Sequence, residues 1–278
     1  MMLNRVCYLG DGDLDGAAAY LAGVMAHAGI AFDHVPSVQS PAASFLTQAY
    51  SAYVLSDYPA ARWSAEQMAH LLDCVQRGSG LAMLGGWESF YGRLGEYHRS
   101  PLAEALPVLM AKADDRRNCP QPCLIDKSAD HPILAGLPWD GPPTIGGYNA
   151  LRAKPEAEVL LTCVPFTVRK SWRTFRFMRH GESPLLVVGS YGEGRTAALA
   201  TDVAPHWVGG WVDWGNKRVT QEIGSGSIEV GNCYARFFGN LLRWLAGEEL
   251  EEKRDKGTKG QREKGKRKKA DQEITRTG

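Results

Sequence analysis

No uninterrupted apolar run in this sequence approaches the roughly 20 residues that a membrane-spanning helix requires, so a helical membrane protein is not expected. Net charge is nearly absent as well. The 32 Lys and Arg stand against 31 Asp and Glu, a formal net of +1, and such a composition demands neither a nucleic acid nor an anionic membrane as partner. Cysteine is scarce: Cys7, Cys74, Cys119, Cys123, Cys163 and Cys233 are scattered through 278 positions. That is the pattern of reduced, mostly buried thiols, not of a disulfide framework. The close pair in Cys119-Pro-Gln-Pro-Cys123 has His131 nearby but no second Cys/His pair at a zinc-site spacing, so it reads as two ordinary loop cysteines. No metal and no cofactor is expected. The opening MMLNRVCYLGDGD turns acidic too soon for a secretory signal, no internal repeat is visible, and the expected location is the cytoplasm.

What the sequence has in quantity is short apolar runs and helical stripes, within a hydrophobic content of 44%. Arg5–Leu9, Ala31–Val35, Ala52–Leu55 and Leu81–Leu84 read as strands. Between them, Ala17, Leu21, Val24, Met25 and Ala28 form one helical face that stops at Gly29, and Met68, Leu71, Leu72 and Val75 form another that stops at Gly78. Ser64 and Gln67 have the spacing of a capping box. A short helical piece is expected near Ala42–Ala49. This alternation predicts an α/β fold with a doubly wound, mostly parallel sheet and helices on both faces. Residues 107–157 are rich in Pro and Gly and show little periodicity. Strands resume at Val159–Cys163, Leu185–Val188 and Thr196–Ala200, the last two joined through Ser190-Tyr-Gly-Glu-Gly194 as a hairpin. A final helix begins near Asn232 and ends at Gly247. One domain over 1–247 is expected, followed by a charged tail at 248–278 with 11 Lys/Arg and 8 Asp/Glu, too polar to order itself.

The chain is organised around Gly78–Tyr97. After Leu81–Leu84 comes the tight turn Gly85-Gly86-Trp87-Glu88-Ser89-Phe90. A sharp turn at the carboxyl end of a central strand is where open α/β sheets place ligands and nucleophiles. Further along, Asp202 and His206 sit four residues apart after an expected buried strand. Asp202 there either orients His206 for proton transfer or simply joins it in hydrogen bonding loop backbone. Gly146-Gly147-Tyr148-Asn149 offers either a polar wall for the same cleft or a turn. Trp207, Trp211 and Trp214 suggest a packed lid or a subunit interface. Asp11-Gly-Asp-Leu-Asp-Gly16 has carboxylates at alternate positions, but Ala22 stands where a calcium loop needs its bidentate Glu. It reads as a polar turn with an acidic helix start, and a cation or polar-ligand site is the other reading. His180-Gly-Glu182, in a basic-aromatic run, reads as a surface loop, with a substrate-facing lid as its alternative.

Several of these stretches together carry a family resemblance. Tyr20-Leu-Ala-Gly-Val24, Leu84-Gly-Gly-Trp-Glu-Ser-Phe90, Ser100-Pro-Leu-Ala-Glu-Ala-Leu-Pro-Val108, His131-Pro-Ile-Leu-Ala-Gly-Leu-Pro-Trp139 and Gly192-Glu-Gly-Arg195, leading into Asp202-Val-Ala-Pro-His-Trp207, resemble the glutamine amidotransferase-like family of bacterial cytoplasmic proteins. That family belongs to the class I glutamine amidotransferase-like group, with the trehalose-utilisation-like proteins as a neighbouring branch. The resemblance spans roughly residues 3–246 and implies a flavodoxin-like fold. Amidotransferases of class I place a cysteine at the elbow and complete a triad with His and Glu. Here the elbow carries Gly86-Trp87-Glu88-Ser89 and none of the six cysteines. Loss of a triad nucleophile costs about a million-fold in rate, so glutaminase activity is not expected.

Three functions remain open on the sequence. In the first, Gly86, Trp87, Asp202, Trp207 and Asn149, with Glu88, Ser89 and His206, bind a small polar molecule such as a sugar or an amide. In the second, a hydrolase or isomerase uses Glu88 or His206 as general base, which requires the two side chains to meet directly or through one water. Ser89 is the remaining candidate nucleophile. In the third, the tryptophan-rich loops only build an oligomer. A small-molecule ligand and a homo-oligomer are expected as partners, with no membrane and no nucleic acid.

Overall fold

The computed structural model describes residues 5–250. The expected tail lies outside the described residues from position 251 onward. In chain order, β1 (Arg5–Gly10), α1 (Ala18–His27), β2 (Ala31–Val35), β3 (Ala52–Ser56), α2 (Ala65–Gln76) and β4 (Gly80–Leu84) form the first half. They are followed by α3 (Leu102–Ala105), β5 (Val108–Leu109), β6 (Arg116–Lys127), β7 (Thr144–Asn149) and β8 (Arg152–Ala153). Then come β9 (Glu158–Val164), β10 (Phe166–Ser171), β11 (Thr174–Arg179), β12 (Ser183–Tyr191) and β13 (Gly194–Leu199). The chain closes with α4 (Pro205–Val208), β14 (Arg218–Ile223), β15 (Gly226–Gly231) and α5 (Asn232–Leu245). No helix of the described residues is long and apolar enough to cross a membrane.

A nine-stranded sheet in the order β2-β1-β3-β4-β13-β12-β9-β6-β7 runs through the molecule. From β2 to β13 the neighbours are parallel; from β13 to β7 they are antiparallel. The product is a mixed α/β protein whose large central sheet has most of its strands pointing one way. The two halves differ in sequence for a physical reason. β3 and β4 are buried at every position, as strands covered on both faces must be, and they read as unbroken apolar runs. β6 carries Pro120 and Pro122, which donate no ladder hydrogen bond, and its register with β7 jumps between Asn118 and Cys123. β7 contains Gly146 and Gly147. No alternation survives such a segment, which is why 107–157 shows so little periodicity yet holds two strands of the main sheet.

Other local expectations meet their elements. Ser64 caps α2 reciprocally with Gln67, each side chain accepting the other's backbone N–H. Ala43–Thr47 is a 3-10 turn in place of the helical piece expected at Ala42–Ala49. Tyr191 pairs with Gly194 across the tight β12–β13 turn. His180-Gly-Glu182 is an exposed loop, as expected, while the basic-aromatic run before it forms half of the β10–β11 hairpin, with Phe166 opposite Arg179, Val168 opposite Phe177 and Lys170 opposite Phe175. Phe175, Phe177 and Trp172 there are exposed.

Trp207, Trp211 and Trp214 are all buried inside the subunit, which corrects their reading as an interface. Trp211 packs on Phe237 of α5 at 4.6 Å between ring centroids. Trp214 donates its indole N–H to the Gly141 carbonyl at 2.9 Å. The expected homo-oligomer therefore loses the surface on which it was based. Trp211→Ala should destabilise the fold by about 3–5 kcal/mol in urea unfolding, the usual range for emptying a large aromatic site. Trp211→Phe should cost clearly less, because the Trp211 indole nitrogen has no hydrogen-bond partner to lose. Equal losses for the two variants, or an altered elution position of folded Trp211→Phe protein, would contradict this packing role.

Candidate functional site

The carboxyl ends of β1, β3, β4 and β13 lie side by side in the parallel half of the sheet, and a polar residue or glycine follows β1, β3 and β4 directly and β13 within three residues. Beyond β1 stands Asp11, beyond β3 Asp57, beyond β4 the Gly85-Gly86 turn, and beyond β13 Asp202. Carboxylate oxygens of Asp11, Asp57 and Asp202 all lie within 4.8 Å of one another. Asp11 and Asp202 are buried. Two of the three hold left-handed backbone conformations, Asp11 at φ 57° and Asp57 at φ 45°. Asp tolerates that region better than most side chains, but such residues still cost on the order of 1–3 kcal/mol and cluster at functional sites.

Each carboxylate is aimed by its own set of partners. Asp11 accepts the Tyr8 hydroxyl at 2.5 Å. Asp202 accepts the backbone N–H groups of Val203 and Ala204 on one oxygen, and its other oxygen lies 3.3 Å from His206 Nδ1. The loop that carries Asp202 is pinned by Tyr234 of α5, whose hydroxyl donates to the Val203 carbonyl at 2.7 Å. Asp57 takes the Glu88 N–H at 2.7 Å on Oδ1. Its own N–H donates to Ser89 Oγ at 3.0 Å, and its carbonyl accepts Ser37 Oγ–H at 2.6 Å. The β4 turn is thus tied to the β3 turn through both Glu88 and Ser89.

Gly86 makes that contact possible. It has φ 154°, and a Cβ at this position would sit 2.0 Å from Asp57 Oδ1. Its N–H donates to Asn149 Oδ1 at 2.9 Å and its carbonyl accepts Asn149 Nδ2–H at 3.1 Å. Asn149 also donates to Asp115 Oδ1 at 2.8 Å. The side chain expected as a polar wall is therefore fully buried, and its polar atoms are occupied in clamping the turn. Trp207 likewise faces inward. Its Nε1–H donates to Asn118 Oδ1 at 2.8 Å, and its ring lies where a Cβ on Gly147 would be only 2.5 Å away. Ser89, expected as the candidate nucleophile, is 2% exposed and serves as an acceptor for Asp57. Trp87 is 40% exposed, with the Arg116 guanidinium 4.3 Å above its ring.

The electrostatics follow from crowding three carboxylates in a dry place. Burial, then the charges of Asp202 and Asp57, hold the Asp11 carboxyl well above the usual carboxylate range. Asp57 is pushed up to about 7 by burial first and by the Asp202 charge second, against the opposing pull of the Glu88 N–H and His206. Burial also raises Glu88, with Arg62 opposing. His206 is raised, chiefly through its hydrogen bond to Asp202. Among the described residues no hydrogen bond or ion pair joins Glu88 to His206. Asp57 feels the charges of both. The Asp11–Gly16 run divides: Asp11 enters the cluster, Asp13 accepts the Asp15 N–H, and Asp15 binds Ser225. Asp11, Asp57 and Asp202 are also the described side chains whose spacing would suit a metal ion. Asp57 was missed as a site residue because it looks like an ordinary turn aspartate, and Asp11 entered only through the second, cation or polar-ligand reading of the Asp11–Gly16 run. The available signal was their shared place, directly after two neighbouring apolar strands.

A stability prediction follows. An acid whose folded value lies above its unfolded value keeps its proton after the unfolded chain has lost it. Stability therefore falls as pH rises from about 4, the unfolded carboxylate value, to about 7, where Asp57 ionises in the fold. His206, raised above its ordinary value, adds a loss of the same sign as pH climbs through its own titration. Asp57→Asn keeps an acceptor for the Glu88 N–H and cannot ionise. Relative to wild type, the variant should gain on the order of 2–4 kcal/mol in urea unfolding between pH 5 and pH 8. A difference between the two proteins that does not change with pH would contradict this assignment.

Comparison with known proteins follows the geometry. Cytoplasmic protein STM1381 from Salmonella typhimurium LT2 is similar at 26% identity and a TM-score of 0.67, over 87% of this chain and 99% of that one. Cytoplasmic protein STM3548 from Salmonella typhimurium is similar at 23% identity and a TM-score of 0.67, over 86% and 98%. A β-galactosidase from Rahnella sp. R3 shares the fold alone, at 14% identity and a TM-score of 0.50, over 86% of this chain and 31% of the enzyme. No functionally curated protein matches the sequence. The profile of the family described as "Putative glutamine amidotransferase" matches residues 16–246, most of the chain, and the protein belongs to that family.

Proposed function

We propose that this chain is an amidotransferase-like protein without thiolate chemistry, which binds a small polar ligand at the carboxyl ends of its parallel strands. The observation that carries this reading is the convergence of Asp11, Asp57 and Asp202 within 4.8 Å, beside His206. A buried acid cluster of this kind offers strong acceptors and a proton exchangeable near neutral pH. Its complement is a molecule rich in hydroxyl or amine donors, such as a sugar or polyol. Trp87, exposed on the neighbouring β4 turn, supplies an aromatic face of the sort sugars stack on. The elbow holds no cysteine, and the hydroxyl of Ser89 already receives the Asp57 N–H, so neither residue is a nucleophile for a glutamine amide. The packing of α1 against α5 and of α2 against α3 supports a doubly wound, flavodoxin-like arrangement, with one pair on each face of the sheet.

A second reading is favoured by one specific observation. Asp57, at about 7, has the value of a general acid or base poised for work at neutral pH. With His206 within electrostatic reach, it would move protons on a bound sugar or amide as a hydrolase or isomerase does. Glu88 then positions Asp57 through its backbone N–H.

A thermal-shift panel of sugars, polyols, amino acids and amides tests the first reading. One class should raise the melting temperature of wild type and leave Asp202→Asn and His206→Ala unmoved. Purified protein should release no ammonia from glutamine above background. Ammonia release that disappears in Ser89→Ala or His206→Ala would overturn the reading.

A further inference from the structure

β6 contains a second chemical feature, away from the acid cluster. From Arg116 to Asn118 it pairs residue by residue with β7, ending at Asn118 opposite Gly147. Pairing resumes with Cys123 opposite Ile145. Residues 119–122 therefore bulge, facing a single residue on the partner strand. Pro120 and Pro122 lie in the bulge and carry no N–H for the ladder, and their fixed φ angles stiffen it. The bulge folds back on itself, so that Cys119 Sγ and Cys123 Sγ are 2.6 Å apart. A disulfide bond is about 2.05 Å long, which leaves the two sulfurs only a small movement from bonding. Cys123 is buried and Cys119 is partly exposed, so one thiol is open to a small reagent and the other waits behind it. Zinc is the competing reading of two close thiols, but it needs further ligands. Among the described residues, the cysteines join no group of three or more His, Cys, Asp or Glu side chains close enough to hold an ion.

We infer that Cys119 and Cys123 form a thiol–disulfide exchange site, closing reversibly with low-molecular-weight disulfides of the glutathione type. The Cys119 thiolate attacks one sulfur of glutathione disulfide; that S–S bond breaks, one glutathione leaves as thiolate and takes a proton, and Cys119 carries the other. Cys123 then gives its proton to solvent and attacks Cys119 Sγ, and the second glutathione leaves. Two protein thiols are oxidised to one disulfide while one glutathione disulfide is reduced to two thiols. The hydrogen bond from Cys123 lowers Cys119 below the ordinary thiol value, while the same contact and burial raise Cys123. That ordering suits Cys119 as the attacking thiol and Cys123 as the one that resolves. Asn118, the residue before the bulge, accepts the Trp207 indole N–H, one residue from His206.

The test uses the folded full-length protein, equilibrated with mixtures of reduced and oxidised glutathione, quenched with acid and digested with trypsin. The peptide Asn118–Lys127 contains both cysteines and no others. It should become lighter by two hydrogen atoms as the oxidised fraction rises, and should regain them when reduced glutathione is restored. Cys123→Ser should instead trap a single glutathione on Cys119. A wild-type peptide that keeps both thiols throughout, closes only in denaturant, or carries two glutathiones would overturn the assignment.

Discussion

The close approach of Gly86 to the Asp57 carboxylate is the contact on which the site is built. No side chain fits at position 86, since even a methyl carbon would lie 2.0 Å from Asp57 Oδ1. With that space open, the β4 turn drops far enough for the Glu88 N–H to reach Asp57 and for Ser89 Oγ to receive the Asp57 N–H. Asn149 holds Gly86 by both its N–H and its carbonyl, and Asp115 holds Asn149. The strained Asp57 is thereby fixed at the mouth of the sheet, next to Asp11, which the Tyr8 hydroxyl holds. The burial around them supplies the stability from which such strain is met.

The same arrangement decides the chemistry. Three carboxylates this close, two of them buried, resist ionising together, because each added charge raises the cost of the next. The cluster shows this in two ways, in the upward shifts of Asp11 and Asp57 and in the placing of His206 against Asp202. An amidotransferase elbow spends its geometry on exposing a thiolate. In this protein Glu88 and Ser89 of the β4 turn frame a left-handed aspartate one strand away. The protein belongs to the amidotransferase-like family, and binding or proton transfer in place of acyl transfer is the reading proposed for it.

How much of this could be read from the sequence depended on how local the cause was. β1, β3 and β4 were legible because strands buried on both faces must be apolar throughout, and α2 because Ser64 and Gln67 cap it from three residues apart. β6 and β7 were not, since a proline bulge and paired glycines erase alternation. The β10–β11 hairpin escaped notice because its exposed phenylalanines alternate with arginines as a loop's might. At the site, Asp202, His206 and Glu88 were legible from their place after strands. The inward roles of Asn149, Trp207 and Ser89 depend on partners 32 to 89 residues away, which no local pattern encodes. Asp11 and Asp57 had the right local address, but their meeting required the strand order itself.

The central claim is that the acid cluster holds a proton near neutral pH, and the most direct test is to watch its carboxyls titrate. In protein labelled with carbon-13 at the aspartate carboxyl carbons, the account predicts a resonance that titrates near 7 and is absent from Asp57→Asn. Aspartate resonances that all complete their titration below pH 5, with Asp57 among them, would contradict it.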